Sequence, residues 1–210
     1  MLSICHLNIR SLLKHFNELC LSSDIMCHDI ICLSETWLNS SHPSSHYQIP
    51  NYILLRKDRG SSSRGGGLAI YLKNTIVNNI PQIFLSKTEC LSVEIVSNKS
   101  KNYIILVYNP PSTNSWIMDD LERLFESRQF HQPTYILGDF NIDWLKKSPL
   151  KNNLEDLMNI HGLQQLVTEP TRVTRDSKTI IDLVFTNSKS SVNQLRSEEH
   201  TSELQSLTNL

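Results

Sequence analysis

Apolar residues fall into short dense runs separated by polar loops, and the runs are of two kinds. Continuous or alternating apolar stretches predict strands over Leu2–Ile9, Ile30–Ser34, Tyr52–Arg56, Leu68–Leu72, Cys90–Val96, Tyr103–Tyr108, Tyr135–Asp139 and Thr179–Phe185. Several are apolar throughout, as strands covered on both faces would be. Helical spacing marks Ser11–Leu21, which places Leu12, Leu13, Phe16, Leu19 and Cys20 on one face behind a Ser11 N-cap. It also marks Trp116–Arg128, and Asn153–His161 closing on Gly162. Strands outnumber helices, so two packed sheets with a few covering helices fit better than one doubly wound sheet.

Polar residues that terminate these runs are the candidate chemistry. Tyr135-Ile136-Leu137-Gly138-Asp139-Phe140-Asn141 ends in a carboxylate and an amide two residues apart. Two readings stay open: a strand continuing past Gly138 projects both groups from one face, or Gly-Asp and Asn form an ordinary turn. Other runs end at Asn8, at Glu35 followed by Thr36-Trp37, at Tyr108 followed by Asn109-Pro110-Pro111, and at Asp182 inside Ile180–Phe185. Asp182 is the strongest single case, because a carboxylate inside an apolar run needs a partner.

Composition narrows the picture without deciding it. With 210 residues the chain suits one α/β domain able to bury its own core. The formal net charge of −1 supplies no global attraction to nucleic acid, so any such contact rests on local basic groups. The densest is Arg56, Lys57, Arg59 and Arg64; looser ones are Lys146, Lys147 and Lys151, then Arg172, Arg175 and Lys178. The 5 cysteines include no Cys-x-x-Cys pair, and Cys5 and Cys32 lie in apolar runs as small core residues would. A disulfide framework or zinc site is not expected. The lack of a signal-type N-terminus and of a long apolar run leads to the expectation of a soluble intracellular protein with no membrane contact. Gly65-Gly66-Gly67 opens no helix and precedes no Gly-Lys-Ser/Thr, so it reads as positive-φ backbone at a strand entrance and not a phosphate cradle.

In their order, Asn8, Ser34-Glu35-Thr36-Trp37, Tyr108-Asn109-Pro110-Pro111, Gly138-Asp139-Phe140-Asn141 and Thr179-Ile180-Ile181-Asp182 resemble the endonuclease/exonuclease/phosphatase superfamily. His6-Leu7-Asn8-Ile9-Arg10-Ser11 and Ile181-Asp182-Leu183-Val184-Phe185-Thr186-Asn187 look most like the apurinic-type endonuclease domains of LINE-like non-LTR retrotransposons. The resemblance implies a four-layer α/β sandwich of two mainly antiparallel sheets flanked by helices, and a metal-dependent phosphodiester hydrolase. It implies Glu35 as the principal ligand of Mg²⁺ (Mn²⁺ as the alternative), with Asn8 organising the metal and phosphate side. It further implies Tyr108 donating to a phosphate oxygen, Asn141 binding phosphate or water, Asp139 activating that water, and Asp182 orienting a histidine on the last strand. By their charge, and not by the resemblance, Arg10 and Arg64 are expected to face the DNA. A nuclear DNA-nicking domain that continues into a reverse transcriptase follows by the same resemblance. The alternatives are a phosphatase or lipid phosphodiesterase of the same superfamily, or a non-catalytic remnant.

Two features depart from the family pattern. Arg10 stands where relatives often carry an acid or amide, and the Ser-Asp-His of the last core strand occurs nowhere in the 210 residues. Arg196–Ser206 resembles the in-frame translation of a common short-read sequencing adapter. The expectation is therefore a domain over residues 1–195, incomplete at its last strand, and a non-native or disordered tail over 196–210. The chain is expected to be catalytically impaired, with an open sheet edge where the strand is missing. His6, His15, His28, His42, His46, His131 and His161 match no motif and are assigned structural or surface positions.

Overall fold

A computed structural model describes residues 2–60, 65–80, 85, 87–96, 101–111, 116–127, 130–198 and 207–209, the stretches 196–198 and 207–209 by backbone only. In chain order the elements begin β1 (Ile4–Asn8), α1 (Leu12–Leu21), α2 (Ser23–Met26), β2 (Ile30–Ser34), β3 (Tyr52–Lys57), β4 (Leu68–Lys73), β5 (Asn78–Asn79), β6 (Glu89–Val96) and β7 (Lys101–Tyr108). They continue through α3 (Trp116–Ser127), β8 (Thr134–Asp139), α4 (Pro149–Ile160), β9 (Gln164–Gln165), β10 (Arg172–Val173), β11 (Lys178–Thr179), β12 (Asp182–Thr186), β13 (Arg196–Glu198) and β14 (Leu207–Asn209).

Two 6-stranded sheets, ordered β13-β14-β1-β2-β4-β3 and β5-β6-β7-β8-β12-β9, form the body, with β10-β11 as a separate hairpin. Pairing is antiparallel except for β1 beside β2 and β7 beside β8. The alternation of side chains along a strand sorts each one between two layers. On β1, Ile4 turns to the space between the sheets, whereas Cys5 and Leu7 pack outward with Leu12 and Leu19 of α1 and Ile25 of α2. On the far side, Ile117, Leu121 and Phe125 of α3 and Leu154 and Met158 of α4 cover the second sheet. Helix, sheet, sheet, helix is thus the layer order, the four-layer sandwich implied by the sequence. Each such fully buried Leu or Ile contributes about 1.5–3 kcal/mol of transfer free energy.

Several sequence readings shift on inspection. On α1 the predicted apolar face is too wide: Leu13 is 61% exposed and Cys20 is exposed, while burial falls on Leu12 and Leu19. A helix on a sheet buries a narrow stripe, and Leu13 lies to one side of it. The helix predicted over Asn153–His161 starts earlier, at Pro149, with the Ser148 hydroxyl accepting from the Lys151 N–H at 3.1 Å. Proline at the first helical position after a serine cap sets this earlier start. The strand predicted over Thr179–Phe185 begins at Asp182; Thr179 belongs to the hairpin. Arg128 and Arg64 lie outside the described residues.

Of the segment expected as a tail, Arg196–Glu198 and Leu207–Asn209 are strands, and β14 pairs with Cys5 and His6 of β1. That stretch of the β1 edge is therefore covered, in place of the open edge expected. An unpaired edge offers N–H and C=O groups to any extended segment that reaches it.

Candidate active site

One end of the sandwich gathers the C-terminal ends of β1, β2, β7 and β8 and the start of β12, and each delivers a polar residue. Asn8 closes β1 and Asp139 closes β8, both only 1% exposed. The Asn8 amide donates to Glu35 Oε1 at 2.9 Å and to Asp139 Oδ2 at 2.8 Å, so one amide bridges two carboxylates from opposite sheets. Glu35 also accepts from the indole Nε1–H of Trp37 at 3.1 Å and is hydrogen-bonded to the Tyr108 hydroxyl.

The backbone around Glu35 is strained in order to aim it. Glu35 and Trp37 both have φ of 56°, a left-handed conformation that costs a non-glycine residue about 1 kcal/mol or more. Neighbouring chains hold the turn: Thr36 N donates to Gly67 O at 3.1 Å, Trp37 N to Gly66 O at 2.8 Å, and Ser11 N to Glu35 O at 2.9 Å. The Gly65–Gly67 stretch thereby acquires a definite task. A Cβ on Gly67 would lie 2.5 Å from Thr36 Oγ1, so only glycine lets the two loops meet. Beneath it, Glu89 accepts from Gly67 N at 2.6 Å and from Arg59 Nε at 2.5 Å. The Arg59 guanidinium lies 5.5 Å from the centre of the Tyr108 ring.

Asp139 and Asn141 come together by a route that combines the two sequence readings. The strand ends at Asp139 and does not continue; Asn141 has φ of 51°. Asn141 N donates to Asp139 Oδ1 at 3.0 Å, an Asx-type turn. Its side-chain amide donates to Asn109 O at 2.9 Å, and Asn109 in turn donates to Phe140 O, tying the β7 and β8 ends together.

The electrostatics follow from burial. Asp139 is pushed up to about 7, first by desolvation, with the Glu35 charge adding to it; hydrogen bonds from Asn8 and Asn141, and the Arg172 charge, oppose the rise. Tyr108 is raised above the ordinary phenol value by burial and by the Glu35 and Asp139 charges, so its hydroxyl remains a donor.

Asp182 lies opposite Asp139 in the β8–β12 register and is 1% exposed. Its carboxylate stands 3.6 Å from His6 Nδ1, and His6 Nε2 contacts Ser34 Oγ at 3.2 Å. Burial holds His6 neutral, pushing it down to about 3. His6, assigned above to a structural or surface place, thus forms part of the floor of the site. It was legible after all, since two residues before Asn8 is the same face of one strand. Arg10, with φ of 45°, reaches the site through its backbone N–H, which donates to Asn8 Oδ1 at 3.2 Å. The proposed basic loop is largely matched within the protein: Arg56 bonds His42 O, Asn39 O and Asp58, and Arg59 bonds Glu89.

The donor set suits a hard cation. Glu35 and Asn8 offer oxygen, and two carboxylates joined through one amide repel each other unless a positive charge or proton intervenes. Among the described residues no group of three or more His, Cys, Asp or Glu is arranged to hold a metal ion. A cation here would therefore rest on Glu35 and complete its shell with water, as a small hard ion does.

Comparison with known proteins agrees with this geometry. Solved structures similar to the chain include the endonuclease domain of TRAS1, a telomere-specific non-LTR retrotransposon, at 12% identity and a TM-score of 0.78, covering 100% of this chain and 97% of that one. An AP endonuclease from Archaeoglobus fulgidus follows at 13% identity and 0.71, covering 100% and 99%. A D. rerio TDP2 complexed with single-strand DNA product matches at 14% and 0.65, covering 100% and 98%. No curated protein sequence matches the chain. Residues 3–201 match the model of the Endonuclease/Exonuclease/phosphatase family. With the sandwich, the strand-end carboxylates and this match in agreement, the chain belongs to the Endonuclease/Exonuclease/phosphatase family of hydrolytic nucleases and phosphatases.

Proposed function

We propose that this domain is a Mg²⁺-dependent DNA-nicking endonuclease of a non-LTR retrotransposon, cutting one strand to leave a 3′-hydroxyl that primes reverse transcription. The observation that carries the reading is the Asn8 amide bridging Glu35 and Asp139, one carboxylate placed for a cation and the other held near neutrality. Asp139, at about 7, is poised to take a proton from water near physiological pH. The water oxygen bonds to phosphorus as the bond to the 3′-oxygen breaks, and that oxygen leaves and takes a proton from solvent to become the 3′-hydroxyl. Asn8 orients both carboxylates, Tyr108 offers a proton-bearing hydroxyl to a phosphate oxygen, and Asn141 binds phosphate or the attacking water. A bound Mg²⁺ would supply charge neutralisation at the phosphate and the leaving oxygen. Motif order around Asn8-Ile9-Arg10-Ser11 and Ile181-Asp182-Leu183 supports DNA as the substrate.

Turnover by these 210 residues is expected to be slow, because no Ser-Asp-His supplies an acid–base pair beside Asp182. Such groups contribute about 10²–10⁴ in rate. Mg²⁺-dependent relaxation of supercoiled plasmid, compared with a chain carrying the Ser-Asp-His strand, measures this; equal rates would refute it. Glu35→Ala is expected to abolish Mg²⁺ binding by calorimetry, and unchanged binding would remove Glu35 as the ligand. The internal matching of Arg56 and Arg59 favours, as a second reading, a smaller phosphodiester substrate. Hydrolysis of bis(p-nitrophenyl) phosphate without plasmid nicking would select it.

A further inference from the structure

Trp37 has the attributes of a site residue that the mechanism above leaves unused. Its indole N–H donates to Glu35 Oε2 at 3.1 Å, on the carboxylate oxygen that Asn8 does not occupy. Its backbone N–H donates to the Gly66 carbonyl at 2.8 Å in the left-handed region, and the indole bond to Glu35 anchors the ring on that backbone. Yet 39% of the residue is exposed, although large aromatic side chains are usually highly buried. One edge therefore serves the carboxylate while part of the ring faces solvent at the mouth of the cleft.

That mouth presents the Glu35 carboxylate, which repels phosphates until a cation is bound. A rigid aromatic face beside it offers binding of a kind that does not need the cation. Every nucleobase has a π-face, and stacking on a fixed indole is tolerant of sequence.

We propose that Trp37 is a positioning residue with two coupled tasks: its N–H edge fixes Glu35 for the cation, and its exposed face stacks on a base of the DNA strand beside the cut. The inference rests on Glu35 as the cation ligand. Hydrogen bonds to a ligating carboxylate pre-set its orientation, and their removal costs about 10- to 100-fold in metal affinity. Stacking on one aromatic side chain changes single-strand affinity by roughly 10-fold or more. Both tasks fall on one side chain, so substitutions can separate them.

The test uses the full chain with Trp37→Phe, which keeps a ring and removes the N–H, and Trp37→Leu, which removes both. Mg²⁺ affinity is read by calorimetry, and strand affinity in chelator by anisotropy of labelled oligothymidylate against an abasic strand of equal length. The parent is expected to prefer the base-bearing strand. Trp37→Phe should weaken Mg²⁺ about 10-fold and keep that preference; Trp37→Leu should lose both. Thermal melts serve to establish that each variant folds. Parental Mg²⁺ affinity in Trp37→Phe, or equal binding of the two strands by the parent, overturns the proposal. If Glu35→Ala abolishes Mg²⁺ binding while the Trp37 variants behave as the parent, only this inference falls.

Discussion

Asp139→Asn is expected to reduce nicking by about 10²–10⁴ and at the same time to stabilise the metal-free protein above neutral pH. Both effects come from one fact: Asp139 is 1% exposed and its carboxyl is pushed up from 3.8 to about 7, chiefly by burial. Between those two values the folded protein holds a proton that the unfolded chain has released. The contribution of the neutral carboxyl is fully present below about 3.8 and is lost as pH rises through about 7. At pH above 7 the parent thus carries a buried charge whose cost is on the order of a few kcal/mol. Asparagine carries none, but Asn8 Nδ2 and Asn141 N donate to different carboxylate oxygens and one of these becomes an NH₂, so about 1 kcal/mol is returned. A net gain of ~2 kcal/mol corresponds to about 4–8 °C in Tm for a chain of this size. The advantage should shrink toward pH 5, where parent and variant are both neutral at this position, and melts in chelator across that range measure it. A variant less stable than the parent at pH 8 would sink the account of a desolvated charge. Undiminished nicking would sink the assignment of Asp139 as the base.

The trade-off also explains why some of the site was legible in the sequence and some was not. Strand-end polar residues announce themselves because an apolar run that stops at Asn8, Glu35, Tyr108 or Asp139 must place that side chain at a layer boundary. Burial and order along the chain are one-dimensional properties, and the eight main strands follow from them closely. Pairwise partners are not. Nothing in the spacing of Arg59 and Glu89 shows that they meet under Gly67, and nothing near Arg56 in the chain shows that it bonds His42 and Asn39. Counting basic residues therefore overstated the positive field near the cleft.

His6 and Asn141 are instructive in opposite ways. His6 was passed over because it matched no motif, although strand alternation with Asn8 was enough to put it between the sheets, where it faces Asp182. For Asn141 the sequence leaves strand alternation and a turn open, and the backbone takes the turn. The two groups meet through a turn hydrogen bond at 3.0 Å, so both readings gave the proximity and only the turn gave its cause. Arg64 lies outside the described residues and Arg10 reaches the site by its backbone.

Gly138→Ala is expected to be the most damaging single-methyl change in the domain. Gly138 has φ of +142°, a conformation L side chains rarely adopt, and it pairs with Val107 of the parallel neighbour β7. A Cβ there would stand 1.9 Å from the Val107 carbonyl oxygen and 2.9 Å from its carbonyl carbon. Both are backbone atoms in the middle of the second sheet, so no flexible side chain can move aside. Relief requires β7 and β8 to separate, and Tyr108 and Asp139 lie one residue beyond the contact on those two strands. Overpacking in a well-ordered core costs about 1–3 kcal/mol, and a clash against sheet backbone should exceed that range. The expected result is insoluble protein or a Tm lowered by more than about 10 °C. Gly162→Ala is the internal control: φ there is +71°, yet nothing lies within 4 Å of an added Cβ. It should lose only the helix-end preference for glycine, about 1 kcal/mol. Melting curves of both variants decide the matter. Equal losses would mean that positive φ alone sets the cost, and a Gly138→Ala protein melting near the parent would mean that the close approach of β7 and β8 is not what aims Asp139.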